Sequence, residues 1–221
     1  MPVEIRDLSA ERVRRNVAEV REEVAAACAR AGREPGSVEL LAAVKYVAVE
    51  QLPVLRDAGI VLVGENRAQE LERKVVVPGF TWDFIGHLQS RKVRAVLPHV
   101  RLIHSVAGDS VIRELERHAA QGTEVLVEVN VSGEEGKSGV APAALDDVVD
   151  RLRAAGVTVG GLMTMPPLAD RPEDSRRWFA ALAELGRARD LPRLSMGTTQ
   201  DFAVAVEEGA TIVRIGTRLY R

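Results

Sequence analysis

The stretch Leu40-Leu41-Ala42-Ala43-Val44-Lys45-Tyr46 is a short apolar run that ends in a lysine and a tyrosine. A run of this length between turn-forming and helix-forming residues predicts a strand that is buried on both faces. Side chains alternate along a strand, so Leu41, Ala43 and Lys45 share one face. An ammonium at the end of such a strand is costly to bury unless it is paired or loses its proton. A desolvated lysine suits Schiff-base chemistry with an aldehyde, and a lysine that extends into solvent is the alternative.

The composition is typical of a soluble globular protein. The 221 residues are 46% hydrophobic and 28% charged. The formal net charge is -2, from 30 basic and 32 acidic residues, which gives no electrostatic signature for nucleic acid or an anionic membrane. The single cysteine, Cys28, excludes an internal disulfide and a cysteine-based metal cluster, and it is consistent with a reducing cytoplasm.

The N-terminal segment, Met1-Pro2-Val3-Glu4-Ile5-Arg6, has no apolar signal core, and no stretch is long enough to span a bilayer. The four histidines are scattered without the pairing that metal ligands show, so no metal site is expected. We therefore expect a cytoplasmic protein that binds neither nucleic acid nor membrane.

The chain opens with a predicted helix that begins after Ser9, a suitable N-cap, and ends before Gly32. Its apolar stripe at helical spacing consists of Val13, Val17, Val20, Val24, Cys28 and Ala31. Arginines and glutamates are interleaved off this stripe, so we interpret that side as a solvated face.

After that helix, strand and helix patterns alternate regularly. The predicted strands are Glu39–Lys45, Ile60–Gly64, Trp82–Gly86, Leu102–Ser105, Glu124–Val131, Val157–Met163, Arg193–Met196 and Thr211–Ile215. The predicted helices between them are Val49–Asp57, Gln69–Val76, Ser90–Val96, Ser110–Gln121, Ala143–Ala155, Glu173–Arg189 and Asp201–Glu208. Eight strands without a linker predict one domain over residues 1–221, an α/β fold with a single (β/α)8 TIM-type barrel and an extra N-terminal helix. A doubly wound open sheet is the alternative, which the missing glycine fingerprint after the first strand disfavours.

In a β/α barrel the active face lies at the carboxyl ends of the strands, and phosphates commonly bind after strands seven and eight. Strand seven is followed by Ser195-Met196-Gly197-Thr198-Thr199-Gln200-Asp201, and strand eight by Gly216-Thr217. Small residues let backbone N–H groups approach an anion, hydroxyls add donors, and a helix N-terminus adds a favourable dipole. Barrel closure brings Lys45 beside this site. The combination fits a phosphorylated aldehyde held as a Schiff base, with pyridoxal 5′-phosphate (PLP) as the leading candidate.

Alternation along the strand places Arg214 on the same face as Gly216. If Gly216 borders the site, the Arg214 side chain therefore points inward. A buried guanidinium needs a partner, and a pyridine nitrogen or the interior carboxylate of Glu128 would serve. Arginine keeps its protons, so a ring nitrogen that faces it stays unprotonated and the ring is a weaker electron sink. A structural salt bridge inside the barrel is the alternative.

Three further polar residues lie just beyond predicted strand ends or in the loops that follow. Asn66 is a candidate for hydrogen bonding to a ring substituent, and His87 or Lys137 for lining the mouth of the site. Loop structure or solubility is the alternative for each of them. Lys137-Ser138 lacks the wider Walker spacing, so an NTPase is not expected.

At these residues the sequence resembles the pyridoxal phosphate homeostasis protein family, which is related to the barrel domain of alanine racemase. The matching stretches run in order through nearly the whole chain. They are Leu41-Ala42-Ala43-Val44-Lys45, Gly64-Glu65-Asn66-Arg67-Ala68-Gln69-Glu70, Trp82-Asp83-Phe84-Ile85-Gly86-His87-Leu88-Gln89-Ser90, Val129-Asn130-Val131-Ser132, Lys137-Ser138-Gly139, Gly161-Leu162-Met163, Leu194-Ser195-Met196-Gly197 and Val213-Arg214-Ile215-Gly216-Thr217.

The resemblance implies that Lys45 carries PLP as an internal aldimine and that Arg214 faces the pyridine nitrogen. It implies a phosphate site formed by Ser195, Gly197, Thr199, Gly216 and Thr217, with Asn66 and Met196 near the ring. The chain departs from the family pattern at Val44, where Ser or Thr is common, and at Thr198-Thr199, where Met-Ser is common. Because Thr199 keeps a hydroxyl, we expect phosphate binding to survive.

Enzymes of the alanine racemase type use a tyrosine from an additional domain as a second base. The chain ends at Arg221, so we expect no such domain, and strand alternation predicts that Tyr46 turns away from Lys45. Tyr220 lies in the terminal tail, and the sequence leaves it as a candidate for the second base. A two-base racemization without the second base lacks half of its proton transfers.

We therefore expect a non-catalytic monomer for intracellular PLP (vitamin B6) homeostasis. It would hold PLP on Lys45 and buffer it or deliver it to PLP-dependent apoenzymes. A minimal PLP-dependent amino-acid racemase is the second hypothesis, and a sugar-phosphate lyase that uses Lys45 as its own amine is a weaker third.

Overall fold

Eight parallel strands close into a barrel in sequence order, with β8 hydrogen-bonded to β1. The computed structural model describes residues 4–221, so the part of the signal-sequence prediction that concerns residues 1–3 lies outside the described residues. The strands are β1 Glu39–Ala43, β2 Leu62–Glu65, β3 Thr81–Phe84, β4 Leu102–Val106, β5 Glu124–Glu128, β6 Thr158–Met163, β7 Arg193–Thr198 and β8 Ile212–Ile215. The predicted β/α barrel is confirmed, and closure excludes the open doubly wound sheet.

The two faces of β1 serve different parts of the core, as strand alternation requires. Leu41 points into the barrel, where it packs in a small apolar cluster with Leu102, Leu126, Met163 and Ile212. Ala42 and Val44 point outward into the larger core between the barrel and the helices. These three residues are fully or almost fully buried, and the exposed Lys45 follows them at the rim of the barrel.

Helices surround the barrel. They are α1 Ala10–Arg30, α2 Leu52–Asp57, α3 Ala68–Lys74, α4 Val93–Val96, α5 Asp109–His118, α6 Leu145–Ala154, α7 Arg176–Arg187 and α8 Phe202–Glu207. Strand β8 is followed by a 3-10 turn, Thr217–Leu219, and α1 packs against both α8 and α2. The N-terminal helix therefore takes the place in the outer ring that a helix after β8 would occupy.

Helix α1 forms as its cap and periodicity predict. The Ser9 hydroxyl accepts a hydrogen bond from the Arg12 N–H at 3.4 Å. The buried stripe contains Ala27 and Asn16 in addition to the predicted valines and Cys28, whereas Ala31 is exposed because the helix has ended. Within residues 4–221, no helix has both the length and the apolar character that crossing a membrane requires.

The strand ends differ from the predicted ones by a few residues, and one difference matters for the site. β1 ends at Ala43, and residues 44–46 form a turn before the short bridge between Val47 and Ile5. β7 instead continues to Thr198, with a register shift against β8 between Ser195 and Thr198. Lys45 is thus carried by a turn beyond the strand and not by the strand itself.

Candidate functional site

A cleft of about 550 Å³ opens at the carboxyl ends of the strands. It is lined by Ala43, Lys45, Tyr46, Asn66, Ile85, Gly86, Met165, Thr198, Thr199, Gln200, Arg214, Gly216, Thr217 and Tyr220. Six of the nine predicted site residues are in this set, and they come from the ends of β1, β2, β7 and β8. We refer to this space as the cleft.

Lys45 lines the cleft but is solvent-exposed, so the expectation of a desolvated lysine is wrong. Its ammonium lies 5.1 Å from the centroid of the Tyr46 ring, a cation–π distance. The prediction that Tyr46 turns away from Lys45 is also wrong. Strand alternation no longer applies after Ala43, and both side chains line the same space.

A buried ion pair anchors the segments that carry Lys45 and Asn66. Lys74 Nζ lies 2.6 Å from Glu65 Oε2 and donates to the Val44 carbonyl oxygen at 2.8 Å. Glu65 Oε1 accepts a hydrogen bond from the Asn66 N–H at 2.7 Å. The two charged side chains are 2% and 0% exposed, so they are paired away from water. The pair fixes the residue before Lys45 relative to Asn66.

Arg214 is buried, and its guanidinium points into the barrel as strand parity predicts. It donates hydrogen bonds to the Ser195 carbonyl oxygen at 2.8 Å, to the Ser195 hydroxyl, and to the Thr164 carbonyl oxygen at 3.1 Å. Burial lowers the pKa of Arg214 to about 10, although the carboxylates of Glu128 and Asp201 act in the opposite direction. The group is therefore still a cation at neutral pH.

The alternative reading of Arg214 as half of a salt bridge with Glu128 is wrong. Across residues 4–221, no carboxylate oxygen lies within 4.0 Å of the Arg214 nitrogens. Glu128 Oε2 instead accepts a hydrogen bond from the Ser138 hydroxyl at 2.9 Å. The guanidinium is thus held by neutral acceptors, and its charge is not cancelled by a contacting anion.

The two segments predicted to bind phosphate meet at one side of the cleft. The Gly216 N–H donates to Thr199 Oγ1 at 3.4 Å, which joins the segment after β7 to the segment after β8. The Thr198 N–H donates to Asp201 Oδ1 at 2.8 Å, so this amide is already occupied. α8 has only six residues, which makes its dipole a small contribution. Hydroxyls and loop amides are therefore the main donors on this wall.

Comparison with known proteins assigns the chain to a family. Residues 9–221 match the family model of the alanine racemase N-terminal domain. A pyridoxal phosphate homeostasis protein of Aquifex aeolicus is 42% identical over 217 residues, which cover 91% of this chain and 94% of that protein. This chain belongs to the pyridoxal phosphate homeostasis protein family.

Solved structures agree with the family assignment. PipY of Synechococcus elongatus PCC7942 is 30% identical and matches 95% of this chain and 100% of its own. Its structures without and with PLP give TM-scores of 0.81 and 0.79. Alanine racemase of Corynebacterium glutamicum, at 16% identity and a TM-score of 0.73, shares the fold over 96% of this chain and 61% of that chain. The resemblance seen in the sequence is confirmed.

In this member of the pyridoxal phosphate homeostasis protein family, three predicted site residues do not line the cleft. Ser195 is fully buried behind Arg214. The Met196 side chain lies in the core between barrel and helices. Gly197 has a φ of 88°, and a Cβ there would lie 2.6 Å from the Ala205 Cβ. Their roles toward a ligand stay predictions.

Sequence reasoning missed several residues of the site. His87 and Lys137, which it proposed for the mouth, are not among the cleft residues, whereas Met165 and Gln200 are. It also gave no role to Lys74. The signal was present, because Lys74 falls on the buried face of α3 at helical spacing from Ala68 and Leu71.

Tyr220 forms part of the cleft wall and is buried. Its hydroxyl donates to the Ala43 carbonyl oxygen at 3.2 Å. Burial raises the pKa of Tyr220 above its ordinary value, and the Glu65 carboxylate acts in the same direction. The phenol is therefore a hydrogen-bond donor at neutral pH and a poor proton acceptor.

The cleft fits PLP in its donor set. Asn66 Oδ1 is buried there without a hydrogen-bond partner within residues 4–221, which is a polar atom available to a ligand. The lysine amine suits an aldehyde, and the interior cation suits a ring nitrogen. The wall of hydroxyls suits a phosphate. Residues 4–221 contain no group of three His, Cys, Asp or Glu side chains that could hold a metal ion.

Proposed function

We propose that this protein binds PLP in the cleft and serves PLP homeostasis by buffering or delivering it. One observation carries the proposal, namely that Lys45, Arg214 and the two loops after β7 and β8 share one cleft. The structure of PipY with bound PLP supports it, because that protein covers 95% of this chain at 30% identity. The fold alone would not support it, since the same barrel carries many functions.

Each ligand group has a counterpart in the proposed site. The Lys45 amine holds the PLP aldehyde covalently, a bond that a primary amine forms with loss of water. Arg214, protonated and buried, donates to the ring nitrogen and keeps it unprotonated. Thr199, Gly216 and Thr217, which line the cleft, bind the phosphate group together with Ser195 and Gly197. Asn66 contacts a ring substituent, and Met196 lies near the ring.

We infer a carrier and not an enzyme from the acid–base groups of the cleft. PLP supplies an electron-withdrawing ring, but a ring nitrogen that faces Arg214 withdraws electrons weakly. Tyr220 already donates to Ala43 and holds its proton more tightly than usual. The amino-acid racemase remains a second candidate because Tyr46, which carries an exchangeable phenol proton, lines the cleft beside Lys45.

The decisive experiment compares the wild type with Lys45→Ala after incubation with PLP. We expect a yellow absorbance band in the wild type that Lys45→Ala lacks, because no amine remains to hold the aldehyde. The chain has four lysines, so borohydride reduction and peptide mass spectrometry can localise the label to one of Lys45, Lys74, Lys92 and Lys137. Lys92→Ala, on the helical segment after β3, is the control and keeps the band. A label on another lysine, or a band retained in Lys45→Ala, would contradict the assignment.

Two further measurements separate carrier from enzyme. PLP-loaded protein mixed with a PLP-dependent apoenzyme should restore that enzyme's activity, and the loaded protein should not interconvert alanine or serine enantiomers. Turnover that disappears in Lys45→Ala would instead establish the racemase. The carrier is proposed to act as a monomer, which sedimentation of the loaded protein tests.

A further inference from the structure

Behind Arg214, a line of hydrogen bonds crosses the barrel from the cleft to the amino ends of the strands. The Arg214 guanidinium donates to Ser195 Oγ, which lies 2.8 Å from His104 Nδ1. His104 Nε2 lies 3.1 Å from Asp83 Oδ2. Asp83 in turn accepts from Arg101 Nη2 at 2.8 Å and from Arg101 Nε at 3.1 Å. The three middle residues, Ser195, His104 and Asp83, are fully buried, so solvent does not compete for these hydrogen bonds.

The donors and acceptors of this line fit together in only one way when His104 is neutral. A carboxylate only accepts, so the His104 Nε2 that faces Asp83 carries the hydrogen. His104 Nδ1 is then an acceptor, and the partner in reach is the Ser195 hydroxyl. The one hydrogen of that hydroxyl points to His104, and the oxygen lone pairs are left for Arg214.

The surroundings of His104 favour the neutral ring. Burial lowers the pKa of His104, and the nearby cations Arg214 and Arg101 act in the same direction. Asp83 opposes them, but its carboxylate is already shared with Arg101. Two neutral groups, Ser195 and His104, therefore separate the Arg214 cation at the cleft end from the ion pair of Asp83 and Arg101.

We propose that His104 is a positioning residue for Arg214, acting through the Ser195 hydroxyl, with Asp83 selecting the tautomer that makes this possible. The inference rests on the proposed function, in which Arg214 faces the PLP ring nitrogen. A hydroxyl whose hydrogen points at Arg214 would place two donors against each other. His104 prevents this because its Nδ1 accepts the hydrogen bond from the Ser195 hydroxyl. The Ser195 oxygen then remains a fixed acceptor on the buried side of the guanidinium.

Two substitutions of His104 separate its two hydrogen bonds. In His104→Asn the amide group stands near the Nδ1 position, so an acceptor for Ser195 is kept and the bond to Asp83 is lost. In His104→Gln the amide stands near the Nε2 position, so the bond to Asp83 is kept and the acceptor for Ser195 is lost. Both variants remove part of a buried ring, and their costs in stability are expected to be similar.

The first readout needs no cofactor. In the apo protein, long-range nitrogen–proton NMR correlations should show wild-type His104 protonated at Nε2 and unprotonated at Nδ1. The slowly exchanging guanidinium N–H signals of Arg214 should be weaker in His104→Gln than in His104→Asn. A protonated Nδ1 in the wild type, or equal Arg214 signals in the two variants, would overturn the proposal.

The second readout is the bound cofactor. We expect PLP affinity to be about tenfold weaker in His104→Gln than in His104→Asn, as for the loss of one orienting hydrogen bond, and the absorbance maximum to shift further from the wild type. In a Ser195→Ala background the two variants should become equal, because the mediator is gone. Equal affinities with Ser195 intact would overturn the proposal. A wild type that forms no band with PLP would refute the proposed function, while the apo NMR result would still decide the role of His104.

Discussion

The pair of Lys74 and Glu65 shows how single residues organise this site. Neither side chain has to touch the ligand, yet Lys74 Nζ donates to Val44, the residue before Lys45, and Glu65 accepts from Asn66. A buried ion pair adds little net stability over an apolar pair, but breaking it leaves an uncompensated charge. Its value here is positional, because it joins two turns that carry cleft residues.

Lys74→Met is expected to lower the free energy of unfolding by about 3–5 kcal/mol. The effect should lie at the low end, because Glu65 Oε1 still accepts hydrogen bonds from the Asn66 and Arg67 N–H groups. PLP binding should weaken as well, since Val44 loses its donor. Urea unfolding followed by far-UV circular dichroism measures the first effect, and titration with PLP the second.

Two variants frame this prediction. Lys92→Met, on a partly exposed lysine, should change stability by less than about 0.5 kcal/mol. Adding Glu65→Gln to Lys74→Met removes the stranded charge and keeps an acceptor for Asn66, so part of the loss should return. If Lys74→Met were as stable as Lys92→Met, the anchoring role of the pair would have to be abandoned.

At the residue scale, the sequence predicted which side chains lie at the site better than it predicted how buried each one is. Arg214 was placed inside the barrel correctly because parity within a regular strand is a strict geometric rule. Lys45 was placed at the right edge, but its burial was predicted wrongly because the strand ends two residues earlier. The burial of a side chain depends on where the backbone leaves the sheet, and a single apolar run does not mark that point.

At the scale of elements, the connection between β7 and α8 depends on one glycine. Gly197 has a φ of 88°, in the left-handed region that favours glycine. Phe202 Cα lies 2.9 Å and Ala205 Cβ 2.6 Å from the position a Cβ would take at Gly197. The helix therefore sits directly against the strand end, which places Thr199 within reach of Gly216.

Gly197→Ala is expected to destabilise the protein by about 2–5 kcal/mol, from a strained φ and from overpacking against α8. The loss of PLP affinity in Gly197→Ala should be larger than the loss in Lys74→Met, because displacement of α8 also displaces the phosphate-binding loop. Thermal unfolding of the apo protein and PLP titration measure the two effects separately.

Gly36→Ala is the matched control for this change. Among residues 4–221, no heavy atom lies within 4 Å of the position that a Cβ would take at Gly36. The φ of Gly36 is not in the left-handed region, so the variant should be neutral or slightly stabilised. An affinity for PLP in Gly197→Ala equal to that in Gly36→Ala would show that close packing of α8 does not position the loop.

The order and type of the elements were predictable, and their ends were not. All eight strands lie within or next to predicted ones, because parallel strands buried on both faces give short apolar runs. Short 3-10 turns, such as Val49–Gln51 and Ser90–Lys92, precede helices that were predicted as single stretches. Hydrophobic periodicity does not distinguish such a turn from the first turn of an α-helix.

For the whole molecule, closure is what brings the site together. β1 and β8 pair in parallel with Leu41 opposite Arg214, although 173 positions separate them in the sequence numbering. The number of strands and their alternation with helices predicted this closure. The sequence does not predict how the ring of helices is completed, since no local pattern states which elements α1 covers. The structure places α1 in the outer ring between α8 and α2.

Asn16 on α1 connects this outer helix to the turn that carries part of the cleft. Its side-chain Nδ2 donates to the Leu219 and Arg221 carbonyl oxygens at 3.3 and 2.8 Å. The same turn contains Thr217 and Tyr220, which line the cleft. The barrel therefore has a physical link from its first helix to its ligand site, and α1 acts as more than a cover for apolar strands.

Asn16→Ala should test this link, because it leaves the buried Leu219 carbonyl oxygen without its donor. We expect a loss of about 1–3 kcal/mol in unfolding free energy and reduced hydrogen-exchange protection of the Leu219 and Tyr220 amides, which donate within the turn. PLP affinity should fall through Thr217. Glu19→Ala, an exposed change on the same helix, should leave all three quantities unaltered. Unchanged protection of the turn in Asn16→Ala would mean that barrel packing alone holds it, and α1 would then have no part in shaping the site.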